Sequence, residues 1–167
     1  TTNQAVIKTS GLDFYTRYTH QTGFGDIYLD VAGTLTLTLS VGGPTGVADV
    51  NGLDPRNKFK ANTTIGTHIG NFQAQATWAH NAGMTVVPTA GNLQQSRVDP
   101  FDLFNLFFQY KFPGDSSLVK DLALTLNVDN VFDTDPPLLR GLSNSLFGVG
   151  NGFTLGRLVK VGISKKF

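Results

Sequence analysis

Ile27-Tyr28-Leu29-Asp30-Val31-Ala32-Gly33-Thr34-Leu35-Thr36-Leu37-Thr38-Leu39-Ser40 is the most regular stretch of the chain. Apolar side chains stand at Ile27, Leu29, Val31, Leu35, Leu37 and Leu39, and mostly polar or small ones stand between them. A spacing of two puts one set on each face of a strand, whereas an amphipathic helix needs spacings of three and four. At about 3.4 Å per residue the run outreaches the usual strand of about five or six residues.

The same period recurs outward from this stretch. Leu12, Phe14, Thr16 and Tyr18 alternate with Asp13, Tyr15, Arg17 and Thr19. Phe59, Ala61, Thr63, Ile65, Thr67 and Ile69 alternate with Lys58, Lys60, Asn62, Thr64 and His68, and Phe72, Ala74, Ala76 and Trp78 with Gln73, Gln75 and Thr77. Phe104 to Phe112 and Leu122 to Val128 follow, with Leu103 and Phe107 interrupting the polar set, and Val159, Val161 and Ile163 close the series. The pattern predicts about seven strands and no helix.

Composition narrows the class. The 167 residues carry 13 basic and 12 acidic groups, a net charge of +1, and only 15% are charged, against about 25% in soluble domains. The near-neutral balance speaks against a basic nucleic-acid surface. With no cysteine, disulfide scaffolds and Cys-ligated zinc are excluded. No apolar run approaches the ~18 residues of a membrane helix. Thr1-Thr2-Asn3-Gln4 has no basic or apolar leader character, which leaves a mature chain, a fragment, or one not exported by a classical signal.

The connections sort by length. Thr22–Gly25, Gly70-Asn71 and Pro113–Ser117 read as tight turns, and Val41–Asn57, Asn81–Arg97 and Thr134–Leu155 as long loops rich in Gly, Pro, Asn and Ser. Short and long alternate, so all turns fall at one end of the sheet and all loops at the other. A transmembrane β-barrel sorts its connections in this way, with short periplasmic turns and long extracellular loops. Phe14, Tyr18, Phe59, Phe72, Trp78, Phe112 and Phe167 lie towards strand ends, where an interfacial girdle belongs. Alternation alone also fits a soluble barrel or sandwich, in which the apolar set faces inward. The expected fold is therefore all-β, an antiparallel transmembrane barrel segment of about seven strands. The rival is a soluble all-β adhesin or carbohydrate-binding sandwich.

Leu122-Ala-Leu-Thr-Leu-Asn-Val-Asp-Asn130-Val131-Phe132-Asp133, followed by Pro136-Pro137, resembles the Asn-Leu-Phe-Asp…Pro strand of TonB-dependent outer-membrane receptors. Gly156-Arg157, opening a terminal strand that ends at Phe167, is similar to the same family. The matching residues are Asn130, Phe132, Asp133, Pro136, Gly156 and Arg157, and the likeness is specific to the last three strands. It implies a plugged barrel of about 22 strands in a bacterial outer membrane, of which residues 1–167 form the C-terminal section. A plug and a TonB-binding segment are not recognisable. The resemblance thus implies that the rest of the barrel, its plug and the contact to TonB are supplied elsewhere. It further implies membership of a system for energy-coupled uptake of a scarce nutrient, such as ferric siderophore, cobalamin or oligosaccharide. In this family the last strand signals to the barrel-assembly machinery. Lys160, Gly162 and Phe167 fit that pattern, and Lys165 departs from it, although its stem can snorkel to the interface.

No catalytic, cofactor-binding or metal-ligating set is expected. His20, His68 and His80 lack ligand spacing. Gly148-Val149-Gly150-Asn151-Gly152 lacks the Lys and the helix of a phosphate loop. Asp133 is accounted for by the strand-ending motif and Asp26 by a turn, and there is no Gly-x-Ser-x-Gly elbow. Arg56, Lys58 and Lys60 cluster where a long loop enters a strand, a candidate rim contact for an anionic ligand or lipopolysaccharide phosphate, with ordinary solvated charge as the alternative. Arg17, Lys111 and Asp129 belong to the polar set, where they face either a plug or lumen water. The barrel reading also puts Thr45, Gly91 and Asn151 outside the cell, Ser116 in the periplasm, and Leu37 near the bilayer midplane.

Overall fold

The computed structural model describes residues 6–43, 46–53, 56–87, 95–114, 116, 119–140, 146–148 and 155–166. Thr45, Gly91, Asn151, Phe167 and most of the Gly148–Gly152 run lie outside the described residues. Twelve strands follow in chain order: β1 (Ile7–Thr22), β2 (Gly25–Gly43), β3 (Gly46–Asp49), β4 (Phe59–Ile69), β5 (Phe72–Asn81), β6 (Met84–Thr85), β7 (Arg97–Val98), β8 (Phe101–Lys111), β9 (Leu122–Asp129), β10 (Leu138–Arg140), β11 (Leu146–Gly148) and β12 (Leu158–Lys165). Among the described residues there is no helix.

The long strands pair in the order β1-β2-β4-β5-β8-β9-β12, every neighbour antiparallel. This is a meander of seven strands, as the alternation predicts. β3 folds back onto the far end of β2, and β6–β7 and β10–β11 are small ladders inside the long connections. The sheet is open: among the described residues β1 pairs only with β2, and β12 only with β9.

Local chemistry explains the turns. Gly70-Asn71 joins β4 to β5 with Ile69 opposite Phe72, and Gly70 has φ 55°, the conformation a two-residue hairpin asks of a leading glycine. Thr22 faces Gly25 around Gly23-Phe24, and its hydroxyl donates to the Gly25 carbonyl at 2.6 Å. The third turn is longer than expected. Pro113–Ser117 is only its first part, since the N–H groups of Val119 and Lys120 both bond the Ser116 carbonyl, at 3.0 and 2.9 Å, and β9 is reached by way of Asp121 at φ 55°.

β1 and β2, with 16 and 19 residues, outrun β4, which begins opposite Leu35. The register slips between Ser10 and Gly11, leaving Leu37 as the extra residue of β2. Asn51 secures that irregularity by donating its amide to the carbonyls of Thr36 and Leu37 at 2.9 and 3.0 Å. Leu37 therefore stands in a projection beyond the sheet, not near its middle.

The few buried apolar residues do not form a core beneath the sheet. Met84, Val86 and Val98 cluster within the β5–β8 connection. That connection is tied to the long one between β2 and β4 by the bond from Thr85 N to Gly52 O at 2.8 Å and the bridge between Leu53 and Thr85. The apolar strand residues are instead largely exposed, including Leu29, Ile65, Trp78, Phe104, Val161 and Ile163.

Candidate functional site

Cross-strand register sorts the strand residues onto two faces. One carries Arg17, Asp30, Thr64, Thr77, Asn105 and their neighbours, and continues through Gln73, Gln75, Gln109 and Asn127 to Lys160. These side chains bond laterally across the strands. Arg17 holds both oxygens of Asp30 through Nε and Nη2. The Tyr28 hydroxyl donates to Gln75 Oε1 at 2.9 Å, spanning β4 between them. His68 Nδ1 lies 3.0 Å from Asp26, and the Thr64 and Thr77 hydroxyls are 2.8 Å apart. Arg17, Asp26, Tyr28, His68, Gln73 and Gln75 contribute to the lining of a hollow of about 340 Å³. Asp26 is thus no turn residue: it stands inside β2 and is engaged by a histidine two strand positions from the hairpin.

The opposite face carries Thr16, Tyr18, Leu29, Val31, Ile65, Ala74, Ala76, Leu106, Phe108, Leu124, Leu126, Val159 and Val161. Aromatic rings border it at both ends. At the long-loop end, rings run in sequence from Phe14 to Phe59, His80, Trp78, Phe104 and Phe132, with successive centroids 5.1 to 6.4 Å apart. At the short-turn end Phe72 stacks with Phe108 at 6.3 Å, and Tyr110 meets Phe112 edge-on at 5.1 Å. On β5 and β8 the two borders, Trp78 to Phe72 and Phe104 to Tyr110, are six residues apart, roughly 20 Å along the strand. Between them this face has no formal charge.

The residues that resemble a family motif come together at the long-loop end. Asn130 is 1% exposed. Its side chain exchanges bonds with the backbone of Thr134 at 2.8 and 2.9 Å, and its N–H donates to Asn105. Asn130 and Asp133 both take positive φ, 52° and 56°, so the chain reverses sharply after β9. The Asp133 carboxylate accepts the N–H of Arg157 at 2.6 Å, and Arg157 Nε donates to Val131 O at 2.8 Å. Gly156 permits this approach, since a Cβ there would stand 2.7 Å from Asp133 Oδ1. Phe132 closes the ring row against Phe104. Pro136 follows the reversal, half-buried, and has no part in the clamp.

Of the residues expected from the resemblance to signal assembly, Lys160 is ion-paired with Asp129, and Gly162 lies under Thr125, whose Oγ1 would be 2.6 Å from an added Cβ. Phe167 lies outside the described residues. Arg56, Lys58 and Lys60 are all exposed at the entry to β4, and Lys60 shares a hollow of about 540 Å³ with Asp13, Thr34, Asn62 and Asn81. Lys111 stands on the polar face opposite Ala123. Among the described residues no three His, Cys, Asp or Glu lie close enough to hold a metal.

One cluster escapes the sequence patterns. Trp78 Nε1 and His80 Nδ1 each lie 2.7 Å from Asp102 Oδ1 on the apolar face. Carrying the period of two one step beyond Trp78 and one step before Phe104 finds both residues.

Compared with protein-family models, curated proteins and solved structures, the chain matches none.

Proposed function

We propose that the chain is a section of the wall of an outer-membrane β-barrel, with the ring-bordered apolar face against lipid and the amide-rich face towards a wet lumen, and that the barrel is a TonB-dependent receptor for energy-coupled uptake of a scarce nutrient. The observation that carries the barrel reading is the pair of opposed faces. A single layer exposing a continuous apolar surface is unstable in water unless something covers it. In a soluble sandwich that cover is a second sheet, and the other ladders among the described residues have two or three strand positions each. In a membrane the cover is hydrocarbon.

Strand length and connectivity agree. β4, β5 and β8 have 11, 10 and 11 residues, and a tilted transmembrane strand needs about 9–11. The lateral network satisfies the polar groups of the other face. The receptor assignment rests on the clamp of Asn130, Asp133, Gly156 and Arg157, which gives these four of the six matching residues a task in bringing the terminal strand back to the sheet. Plug, TonB contact and barrel-assembly machinery follow from that assignment as partners.

Fractionation of producing cells tests the reading. The chain is expected in the outer membrane, released by detergent and not by salt or alkali, together with a larger polypeptide. Recovery in the aqueous fraction as a detergent-independent monomer overturns it.

A further inference from the structure

Asp102 is anomalous on the face that bears it. It shares that face with Phe104, Leu106, Phe108 and Tyr110, and its side chain is 41% exposed. A carboxylate at the edge of a hydrocarbon surface is costly, and the ionisable residues retained in such places are functional candidates. Asp102 is held deliberately: Trp78 Nε1 and His80 Nδ1 converge on the same oxygen, Oδ1. Because a carboxylate only accepts, the imidazole proton sits on Nδ1, which leaves His80 Nε2 facing away from the pair. Asp102 Oδ2 has no partner among the described residues.

The rings around this group form a floor. Trp78 and Phe104 lie within 13° of parallel at 6.3 Å, and Phe59 tilts against the far side of His80 at 5.9 Å. The notch therefore offers a fixed carboxylate oxygen and an imidazole nitrogen beside flat apolar plates. Asp102 repels a phosphate placed directly on it, so a headgroup has to enter by its hydroxyls, with any phosphate pointing away. A sugar ring satisfies every part, with hydroxyls donating to the oxygen and nitrogen and its C–H face resting on the aromatic plates.

We infer that Trp78, His80 and Asp102 form a binding notch for the sugar headgroup of a membrane glycolipid at the long-loop rim, an inference that rests on the apolar face meeting lipid. Its height fits: the notch lies within the ring row, where headgroups begin, and not between the rows.

Photo-crosslinking in producing cells tests the notch with the chain in its native assembly. Benzoylphenylalanine is placed at Phe104 beside the notch, at Phe14 on the same rim away from it, or at Phe72 on the opposite rim. Adducts from the isolated membrane are identified by mass, with lipid A glycolipid and phosphatidylethanolamine as the two lipids scored. Sugar-bearing adducts are expected at Phe104 well above Phe14 and absent at Phe72. Asp102→Asn, with unchanged membrane yield, is expected to lower the Phe104 adduct about ten-fold, since a bond to a charged group is lost. Equal glycolipid adducts at Phe104 and Phe14 overturn the inference, and this comparison leaves Trp78, His80 and Asp102 unaltered. Phosphatidylethanolamine at Phe104 also overturns it, in favour of an ammonium-binding notch. Absence of the chain from membranes instead defeats the barrel reading.

Discussion

The Tyr28 ring lies flat across Gly66 on the neighbouring strand, so close that a Cβ on Gly66 would overlap its Cζ and hydroxyl oxygen. Tyr28 is 7% exposed, stacks with His68 at 5.3 Å, and has the Arg17 guanidinium 5.8 Å above its ring. An aromatic ring filling the space over a strand glycine pins register and compensates the missing side chain. Gly66→Ala must push the ring away and break its bond to Gln75. It is expected to cost about 1–3 kcal/mol, the usual range for overpacking. The urea midpoint for loss of protease protection in isolated membranes measures it. In a Tyr28→Ala background the same substitution is expected to cost much less, because the clash has gone.

The face assignment predicts an asymmetry between adjacent residues. Ile65 pairs with Ala76 between the two ring rows, whereas Thr64 bonds Thr77 on the polar face. Ile65→Arg is expected to cost about 2–4 kcal/mol, as for arginine near a bilayer midplane, and Thr64→Arg little. The amount of each variant reaching the outer membrane checks this. Equal tolerance contradicts the lipid-facing assignment. Leu37, for all its place in the most regular stretch, is the wrong position for the test, because it stands in the projection beyond β4.

Strand positions were legible because period two survives any twist of the sheet. Faces were legible too: Leu103 interrupts the polar set in the sequence and is buried there, 9% exposed. The extent of β2 was not. Glycines at 42 and 43 read as loop, yet the strand continues to Gly43 because Ile7 and β3 flank it on both sides. Asp26 read as a turn residue because it follows Gly25, and its true partner, His68, is 42 residues away. The notch at Asp102 was hidden for a similar reason. Its donors are 22 and 24 residues upstream, and only the register of β5 on β8 joins them.

The clamp that returns the terminal strand has a testable coupling. Asp133→Ala removes the acceptor of the Arg157 N–H and is expected to cost about 1.5–3 kcal/mol, the range for a hydrogen bond to a charged group, with solvent exposure favouring the low end. Gly156→Ala is expected to cost a similar amount by driving a methyl against Asp133 Oδ1. Combined, the two should cost less than their sum, since the alanine at 133 no longer opposes the methyl. Additivity would show that Gly156 is needed for something other than Asp133. The readout is again urea resistance in membranes.

Orientation is checked by cysteine labelling of a chain that has no cysteine of its own. Val47, 64% exposed in β3, stands at the long-loop end, and Ser116 at the other. A membrane-impermeant maleimide is expected to label Val47→Cys in intact cells and Ser116→Cys only after the membrane is opened. The reverse pattern inverts the barrel.

The two edges of the sheet determine what can complete it. Each of the six steps along the meander reverses the chain, so β1 and β12 run in the same direction. Two copies joined edge to edge would have to pair these strands in parallel. A fully antiparallel closure needs an odd number of further strands, whose outer two both run towards the long-loop end. Seven plus an odd number is even, as bacterial single-chain barrels require. The open edges also forbid a lone existence in hydrocarbon, where each unpaired backbone group costs several kcal/mol. β1 is the more demanding edge, with 16 residues exposed almost throughout. Residues 1–167 produced alone in detergent are therefore expected not to yield a heat-modifiable β-rich monomer. In native membranes, benzoylphenylalanine at Thr16 or at Val161 is expected to crosslink to a larger chain, and cysteines at both positions are expected not to join two copies by a disulfide. A stable monomer, or a Thr16-to-Val161 disulfide between copies, would falsify completion by a second polypeptide segment and would point instead to a homo-oligomeric pore with parallel seams.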